Sequence, residues 1–293
     1  MSGLKTVHII GIGNMGGGMA ANLLSKGWTV LVSDIDAKKV DFWVSKGALS
    51  QSTHAQAAPD LIATIICVVD AAQTDDVLFG VNGLAHRLPK GQTVILCPTI
   101  LPQDVEGFAS RLAERGLHTV DAPMSGGPAR AADGTMSLLV ACPPDVFAQQ
   151  AGLLNALSSK LFNISDKPGD AARTKLVNNL LAGINLVGAA EALALAAKLG
   201  LDVAKTLGVI EQSSGQSWIG SDRMRRAIVG DYAPRAHVTL LEKDTRLALA
   251  CAQAAGFDGP LGAAASSVFA QAHAAGLAAE DDAAIFKVLS GPR

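Results

Sequence analysis

Short apolar runs at 6–10, 29–32, 61–68, 93–97, 117–120 and 136–141 punctuate the first half of the chain. Between them lie alanine-bearing stretches of helical character, at 36–46, 73–79 and 102–115. Strand alternating with helix at this spacing predicts an α/β fold, a mostly parallel sheet with helices on both faces. Near Ser165 the pattern changes. Asp166-Lys167-Pro168-Gly169-Asp170 is a turn signal, and after it β-like runs nearly vanish. Residues 171–198 read as one long, largely apolar helix, with Gly183 and Gly188 as points where neighbours can approach closely. Asp202 is placed to cap the next helix. Further helices are expected at 202–213, 217–229, 236–255, 260–275 and 280–289, with glycine, aspartate or proline at each junction. The chain therefore divides into an α/β domain over 1–165 and an all-α domain over 166–293, joined by the long helix.

The first apolar run leads into Gly11-Ile12-Gly13-Asn14-Met15-Gly16. Strand, tight glycine turn and helix suit a pyrophosphate: the backbone turns sharply, and a helix N-terminus offers N–H groups and a positive dipole end. The second run ends at Asp34, 18 residues after Gly16. A carboxylate at about that distance binds the ribose hydroxyls of a dinucleotide and repels a 2′-phosphate. The first domain is thus Rossmann-type, and NAD is expected rather than NADP. A competing reading leaves Asp34 only capping the strand end or opening a turn with Asp36.

Composition adds bounds. Hydrophobic residues make up 49% of 293, enough for a sizeable core, while charged residues make up only 17% and aromatics 4%. The surplus is alanine in the second half, which points to closely packed helices or a buried subunit interface. A net charge of −2 implies no nucleic-acid partner. No secretory signal is expected ahead of the first strand. The longest apolar stretch, 183–197, is interrupted by Asn185 and Glu191, so no membrane segment is expected and the cytoplasm is the default. Cys67, Cys97, Cys142 and Cys251 form no CxxC pair and read as small buried hydrophobes. The six histidines show no metal-ligand spacing, and no metal is expected.

Three segments carry candidate chemistry. Asp121-Ala122-Pro123-Met124-Ser125-Gly126-Gly127-Pro128 follows a strand, and its main-chain N–H groups with the Ser125 hydroxyl could hold a carboxylate. A plain turn between two strands is the other reading. Lys175 and Asn179 stand four apart in the long helix and share a face. A lysine facing a cleft can take the proton of an alcohol or return it to an alkoxide; a snorkelling lysine is the common alternative. Leu240-Leu241-Glu242-Lys243-Asp244-Thr245-Arg246 alone reads as a solvated helix face. So does Arg223-Met224-Arg225-Arg226, or else as a subunit contact.

Taken in order, these segments resemble the β-hydroxyacid dehydrogenase family. The resemblance rests on GIGNMGGGMAANLL (11–24), DAPMSGGPARAADGT (121–135), GDAARTKLVNN (169–179) and LLEKDTRLAL (240–249), and it covers essentially the whole chain. It implies that Lys175 is the catalytic acid/base, that Asn179 orients substrate, and that Ser125, Gly126 and Gly127 bind the carboxylate. It implies that Lys243 reaches the site from the helical domain, supported by Asp244, and that the site lies in the cleft between domains. Cofactor contacts would come from Gly11, Gly13, Asn14, Met15, Gly16 and Asp34, from Val69 and Asp70 at a strand end, from Thr99 beside the nicotinamide ribose, and from Lys243. Cys97-Pro98 before Thr99, and Val140-Ala141-Cys142-Pro143 in place of a terminal glycine pair, depart from the family pattern.

The implied reaction is hydride transfer between NAD and the carbinol carbon of a small hydroxy acid, by a homo-oligomer, dimer or tetramer. Pro234-Arg235-Ala236-His237-Val238, Leu261-Gly262-Ala263-Ala264 and Glu280-Asp281-Asp282 look most like the L-threonate dehydrogenase branch. A four-carbon sugar acid is the leading substrate, with 3-hydroxyisobutyrate or tartronate semialdehyde as alternatives. Imine reductases share the scaffold but tend to replace the lysine kept here as Lys175. A non-catalytic NAD-binding protein would have no need of Lys175, Asn179 and Lys243 together.

Overall fold

The computed structural model describes residues 5–51 and 60–291. They form two compact units, one ending at Lys175 and the other starting at Leu176. In the first, β1 (Thr6–Ile10), α1 (Asn14–Ser25), β2 (Thr29–Ser33), α2 (Ala37–Ser45), β3 (Leu49–Ser50), β4 (Leu61–Ile66), α3 (Ala71–Phe79), β5 (Thr93–Leu96), α4 (Pro102–Ala113) and β6 (His118–Asp121) follow the expected alternation except at β3, a two-residue strand outside the expected runs. Then come β7 (Met124–Ser125), α5 (Gly127–Asp133), β8 (Ser137–Ala141), α6 (Pro144–Leu157) and β9 (Lys160–Ser165). The sheet order is β3-β2-β1-β4-β5-β6-β8-β7, with β9 on the other side of β8. Pairing is parallel from β3 to β6 and between β8 and β9, and antiparallel where β8 meets β6 and β7.

Parallel strands covered on both faces read as unbroken apolar runs, and β1, β4 and β5 do. Val7, Ile9, Val30, Val32, Ala63, Ile65 and Ile95 fill one face of the sheet. Ile10, Leu31, Ile66, Val94 and Leu96 fill the other. Strands expected to reach 68 and 97 end at Ile66 and Leu96, because the chain turns off the sheet toward α3 and α4. His8 is the polar exception in β1. Its Nε2 lies 2.8 Å from Ser33 Oγ, and burial pulls its pKa down to about 4.

α7 (Asp170–Lys198) starts in the first unit and continues in the second, followed by α8 (Val203–Glu211), α9 (Trp218–Ile228), α10 (Val238–Ala254), α11 (Pro260–Ala272) and α12 (Ile285–Ser290). A π-helical turn at 273–277 and a 3₁₀ turn at 282–284 complete the second unit. Asp202 caps α8 as expected, accepting from the Lys205 N–H at 3.0 Å. By length and composition α7 could cross a membrane. Here its Leu186, Val187, Ala190, Leu193 and Ala194 pack into the core of the second unit with Met224, Val238, Phe269 and Ile285. A Cβ at Gly183 would fall 2.7 Å from the Thr245 side chain, so α7 and α10 touch there. At Gly188 there is open space, and no close neighbour requires that glycine.

Candidate active site

The glycine loop joins β1 to α1, and two of its positions admit no side chain. Gly11 has φ +86°, and a Cβ there would lie 2.6 Å from the Cys67 carbonyl oxygen. A Cβ on Gly16 would lie 2.0 Å from Gly11 O, so the first turn of α1 rests directly on the loop. Gly13 ends the turn as the α1 cap residue with no side-chain cap of its own, and a Cβ there would meet nothing within 4 Å. Its backbone is therefore open to approach from outside the protein. Asn14 and Met15 form the first turn of α1. Main chain packed tightly behind and open in front, at a helix N-terminus, fits a dinucleotide pyrophosphate.

Asp34 stands just beyond β2 and binds this loop. Its Oδ2 accepts from the Ile12 N–H at 2.9 Å, and its Oδ1 accepts from the Asp36 N–H at 2.9 Å. Lys39 Nζ lies 3.9 Å from Oδ1. The turn with Asp36 exists, and so does the tie to the glycine loop. A carboxylate has about four lone-pair sites, so two main-chain bonds leave acceptor capacity for ribose hydroxyls. The sheet order sets the carboxyl ends of β2, β1, β4 and β5 side by side, and with them Asp34, Gly11–Gly16, Val69-Asp70 and Thr99. Val69 is half exposed. Asp70 caps α3, its Oδ1 accepting from the Gln73 N–H at 2.8 Å. Thr99 is partly buried.

Ser125 closes β7, paired with Ser137 of β8. The chain then turns into a helix rather than directly into a second strand. Gly126 (φ +125°) and Gly127 (φ +78°) both occupy the left-handed region, which explains the glycine pair. Gly126 is the cap residue of α5, and α5 packs on α1, where a Cβ at Gly18 would lie 2.9 Å from the Ala131 Cβ. The carboxylate-binding candidate and the glycine loop thus share one packed pair of helices.

Lys175 lies in the second turn of α7 and is only 7% exposed, which argues against a side chain snorkelling into water. The N-terminus of that helix is held by Asp121, a residue the motif contained but the sequence reading assigned no role. Its Oδ2 accepts from the N–H of Gly169 at 2.8 Å and of Ala172 at 3.0 Å. An aspartate at the end of a strand that leads into a glycine-rich segment was the available signal.

In the second unit Asn179, Asp244 and Lys243 form one chain of contacts. Asn178 Nδ2 donates to Asn179 Oδ1 at 3.0 Å, Asn179 Nδ2 donates to Asp244 Oδ2 at 2.6 Å, and Lys243 Nζ lies 2.9 Å from Asp244 Oδ1. Asn179 and Asp244 are both buried. Two residues of the segment read alone as a solvated face, Lys243 and Asp244, are thus tied to each other and to Asn179 of α7.

In the arginine cluster, read as a solvated face or a subunit contact, Arg223 and Arg226 are largely buried in ion pairs within the chain, while Arg225 is exposed. Arg226 Nη1 donates to Asp281 Oδ2 at 2.9 Å and its Nε to Asp231 Oδ2 at 3.0 Å. Arg223 pairs with Asp282 and Asp222, and Arg225 with Glu211 at 2.6 Å. Asp281 Oδ2 also accepts from the Arg235 N–H at 2.8 Å. Two of the segments used for the branch comparison, 234–238 and 280–282, are therefore one internal clamp. It fixes the chain just ahead of α10, which carries Lys243 and Asp244.

All four cysteines are free thiols, and burial pushes Cys67 up to about 12. Among the described residues no group of three His, Cys, Asp or Glu side chains could hold a metal ion. His54 lies outside those residues.

Residues 6–165 match the NAD binding domain of 6-phosphogluconate dehydrogenase, and residues 169–289 match the NAD-binding domain of NADP-dependent 3-hydroxyisobutyrate dehydrogenase. An L-threonate dehydrogenase of Cupriavidus necator is 35% identical over 98% of this chain and 97% of its own length. A 3-hydroxyisobutyrate dehydrogenase of Pseudomonas aeruginosa is 37% identical over 91% of each chain. The crystal structure of a 3-hydroxyisobutyrate dehydrogenase from Salmonella typhimurium superposes with a TM-score of 0.89 at 35% identity, covering 97% of this chain and 99% of that one. With a glycine loop shaped for a dinucleotide and relatives spanning both units, the chain belongs to the β-hydroxyacid dehydrogenase family, oxidoreductases that act on hydroxy acids with a nicotinamide cofactor.

Proposed function

We propose that this enzyme oxidises a four-carbon sugar acid, L-threonate or a close analogue, at its carbinol carbon, with NAD preferred and Lys175 as the acid/base. When bound, the nicotinamide accepts the hydride in oxidation and supplies it in reduction. Gly11, Gly13, Asn14, Met15 and Gly16 would hold the pyrophosphate, Asp34 the ribose, and Val69, Asp70, Thr99 and Lys243 the remainder of the dinucleotide. Lys175 Nζ takes the hydroxyl proton during oxidation and returns it during reduction. The Ser125-Gly126-Gly127 turn holds the substrate carboxylate, and Asn179, fixed by Asp244, orients the substrate. Such anchoring sets the distance over which hydride moves, and positioning of that kind is a main source of rate enhancement.

The observation that carries the reading is the burial of Lys175 on α7, one helical turn before Asn179. NAD preference follows from Asp34, whose charge opposes a 2′-phosphate; Lys39 beside it softens that repulsion. The sugar-acid preference is supported by the L-threonate dehydrogenase relatives. The 3-hydroxyisobutyrate dehydrogenases support the second substrate reading.

One panel tests all of this. L-threonate and 3-hydroxyisobutyrate are offered with NAD and with NADP, and tartronate semialdehyde with NADH. Fastest turnover of L-threonate with NAD is expected. Turnover of 3-hydroxyisobutyrate alone would replace the substrate, and no turnover of any acid would end the reading. We also propose a homo-oligomer, dimer or tetramer, in the cytoplasm. Exposed Leu199, Leu201, Val209, Trp218 and Val229 on the second unit support self-association, and light scattering checks it.

A further inference from the structure

We propose that Asp121 is a positioning residue for catalysis: by holding the N-terminus of α7 it sets where the amine of Lys175 stands. The inference rests on the acid/base reading of Lys175 and adds a second residue to it. Asp121 is the last residue of β6 and is 1% exposed. One carboxylate oxygen accepts from two main-chain N–H groups at the start of α7, that of Gly169 just ahead of the helix and that of Ala172 within it. Lys175 follows Ala172 by three residues, so it rides on the turn this carboxylate fixes. Free N–H groups at a helix start need acceptors, and a negative charge there also complements the helix dipole.

The other ties on this helix end are weaker holds. Asp170 accepts from Ser165 Oγ at 2.7 Å and from Arg173 at 3.0 Å, and Arg173 also bonds Glu106 at 2.6 Å. Arg173 and Glu106 are exposed, and surface pairs of that kind contribute little. Asp121 is a buried polar contact between β6 and α7, beside the apolar packing of Ala171 and Ala172.

The geometry has a pH consequence. Burial pushes Asp121 up to about 6, against the main-chain N–H groups of Ala172, Gly169 and Ala171, which pull it down; Asp170 at the start of α7 pushes it up further. The other titratable groups near it are the thiols of Cys97, after β5, and Cys142, after β8, and both are held neutral by burial. Asp121 therefore changes charge near pH 6, and below that the hold on α7 weakens.

The test compares the wild type, Asp121→Asn, Asp121→Ala and Lys175→Ala, as full-length chains with NAD and L-threonate, or with the panel acid oxidised fastest if L-threonate is not turned over. Asparagine keeps an acceptor oxygen for both N–H groups and removes the charge. The ratio of wild-type to Asp121→Asn kcat cancels every titration the two share, that of Lys175 included. The ratio is expected to be constant above about pH 7 and to fall below about pH 6 as wild-type Asp121 loses its charge. Asp121→Ala is expected to lose about 100-fold in kcat, the scale of an ångström-sized misplacement, with NADH affinity unchanged by fluorescence titration. A flat ratio across pH 5–9 would overturn the proposal, as would an Asp121→Ala enzyme that melts earlier yet keeps its kcat. If Asp121→Ala does not fold, the pH dependence of the ratio decides alone. Near-normal turnover by Lys175→Ala would instead sink the acid/base reading itself, so the two failures are distinguishable.

Discussion

The candidate residues of the first unit depend on backbone shape, and those of the second depend on charge. Around Gly11–Gly16 and Gly126-Gly127 what matters is the missing side chain: a Cβ would strike Gly11 O or force a strained φ. Around Asn179, Asp244 and Lys243 what matters is pairing, a hydrogen bond from Asn179 to Asp244 and an ion pair from Lys243 to Asp244, and behind them Arg226 and Asp281 brace the approach to α10. Shape is rigid and local, so it can be written in a six-residue motif. Charge networks join residues far apart in sequence, such as Arg226 with Asp281, and leave no motif. Lys175 is the last residue of the first unit, and Asn179 follows it on the same helix as part of the second.

The sharpest way to break this contrast is to remove that lysine. Lys175→Ala is expected to lower kcat by about 10²–10⁴-fold, the usual contribution of a positioned acid/base. NADH should still bind, because the glycine loop is untouched. Turnover within about tenfold of wild type would mean that Lys175 is a structural lysine, and that proton transfer uses another group.

Next in size is the clamp of the second unit. Asp281→Ala leaves the buried Arg226 guanidinium with a lost partner, and breaking a buried pair from one side costs about 3–5 kcal/mol. Asp231→Ala removes the other carboxylate on the same arginine, but Asp231 is 42% exposed at its side chain, where a pair is worth about 0–1 kcal/mol. Chemical denaturation of the two variants would measure the gap. Equal losses would mean that the network is a surface feature and does not brace α10.

The glycine loop offers a matched pair. Gly16→Ala pushes a methyl group against Gly11 O, and overpacking of this kind costs about 1–3 kcal/mol. Gly13→Ala meets nothing inside the protein, so its stability should change by less than about 1 kcal/mol. If the open face of Gly13 receives the pyrophosphate, the same methyl group should weaken NADH binding. Unchanged affinity in a stable Gly13→Ala protein would move the dinucleotide off this loop.

These contrasts explain what could be read in advance. The β1–glycine turn–α1–β2 unit was legible because buried parallel strands are unbroken apolar runs and the turn needs glycine at fixed positions. The long helix was legible from its length. α6 and β9 were not. β9 is an edge strand whose residues are all at least partly exposed, including Asn163 and half-exposed Phe162, so it shows no apolar run. α5 hides behind Gly126-Gly127-Pro128, which reads as a turn. The arginines of α9 looked like a solvated face because their partners, Asp281 and Asp282, arrive from the far end of the chain. Asp121 was visible as a letter in a motif, but its role needed the contact with α7.

The smallest expected effect is also the one in which the two units respond to pH with opposite sign. In the first unit burial holds His8 at about 4 against an ordinary 6.5. Between those values the unfolded chain binds a proton that the native state refuses, so stability falls as pH drops from 6.5 toward 4. In the second unit Asp282 is pushed up to about 7, chiefly by burial and also by Asp281, with Arg223 opposing. Between 7 and the ordinary 3.8 the native state binds a proton that the unfolded chain does not, so stability rises as pH drops through 7. Asp121, held at about 6, acts like Asp282 and partly offsets His8. Melting temperatures of whole proteins would blur these effects, and differences between variants isolate them. Asp282→Asn removes a buried charge at the cost of its pair with Arg223, so its melting temperature relative to wild type should be higher at pH 8 than at pH 6. His8→Gln keeps a hydrogen-bonding group toward Ser33 without a basic ring, so its melting temperature should gain on wild type only below pH 6.5. Each kcal/mol is worth about 2–4 °C in a domain of this size, which scanning fluorimetry resolves. If Asp282→Asn differed from wild type by the same amount at pH 6 as at pH 8, Asp282 would not be titrating in that range. The Arg223–Asp282 pair would then keep its charge from pH 8 to pH 6.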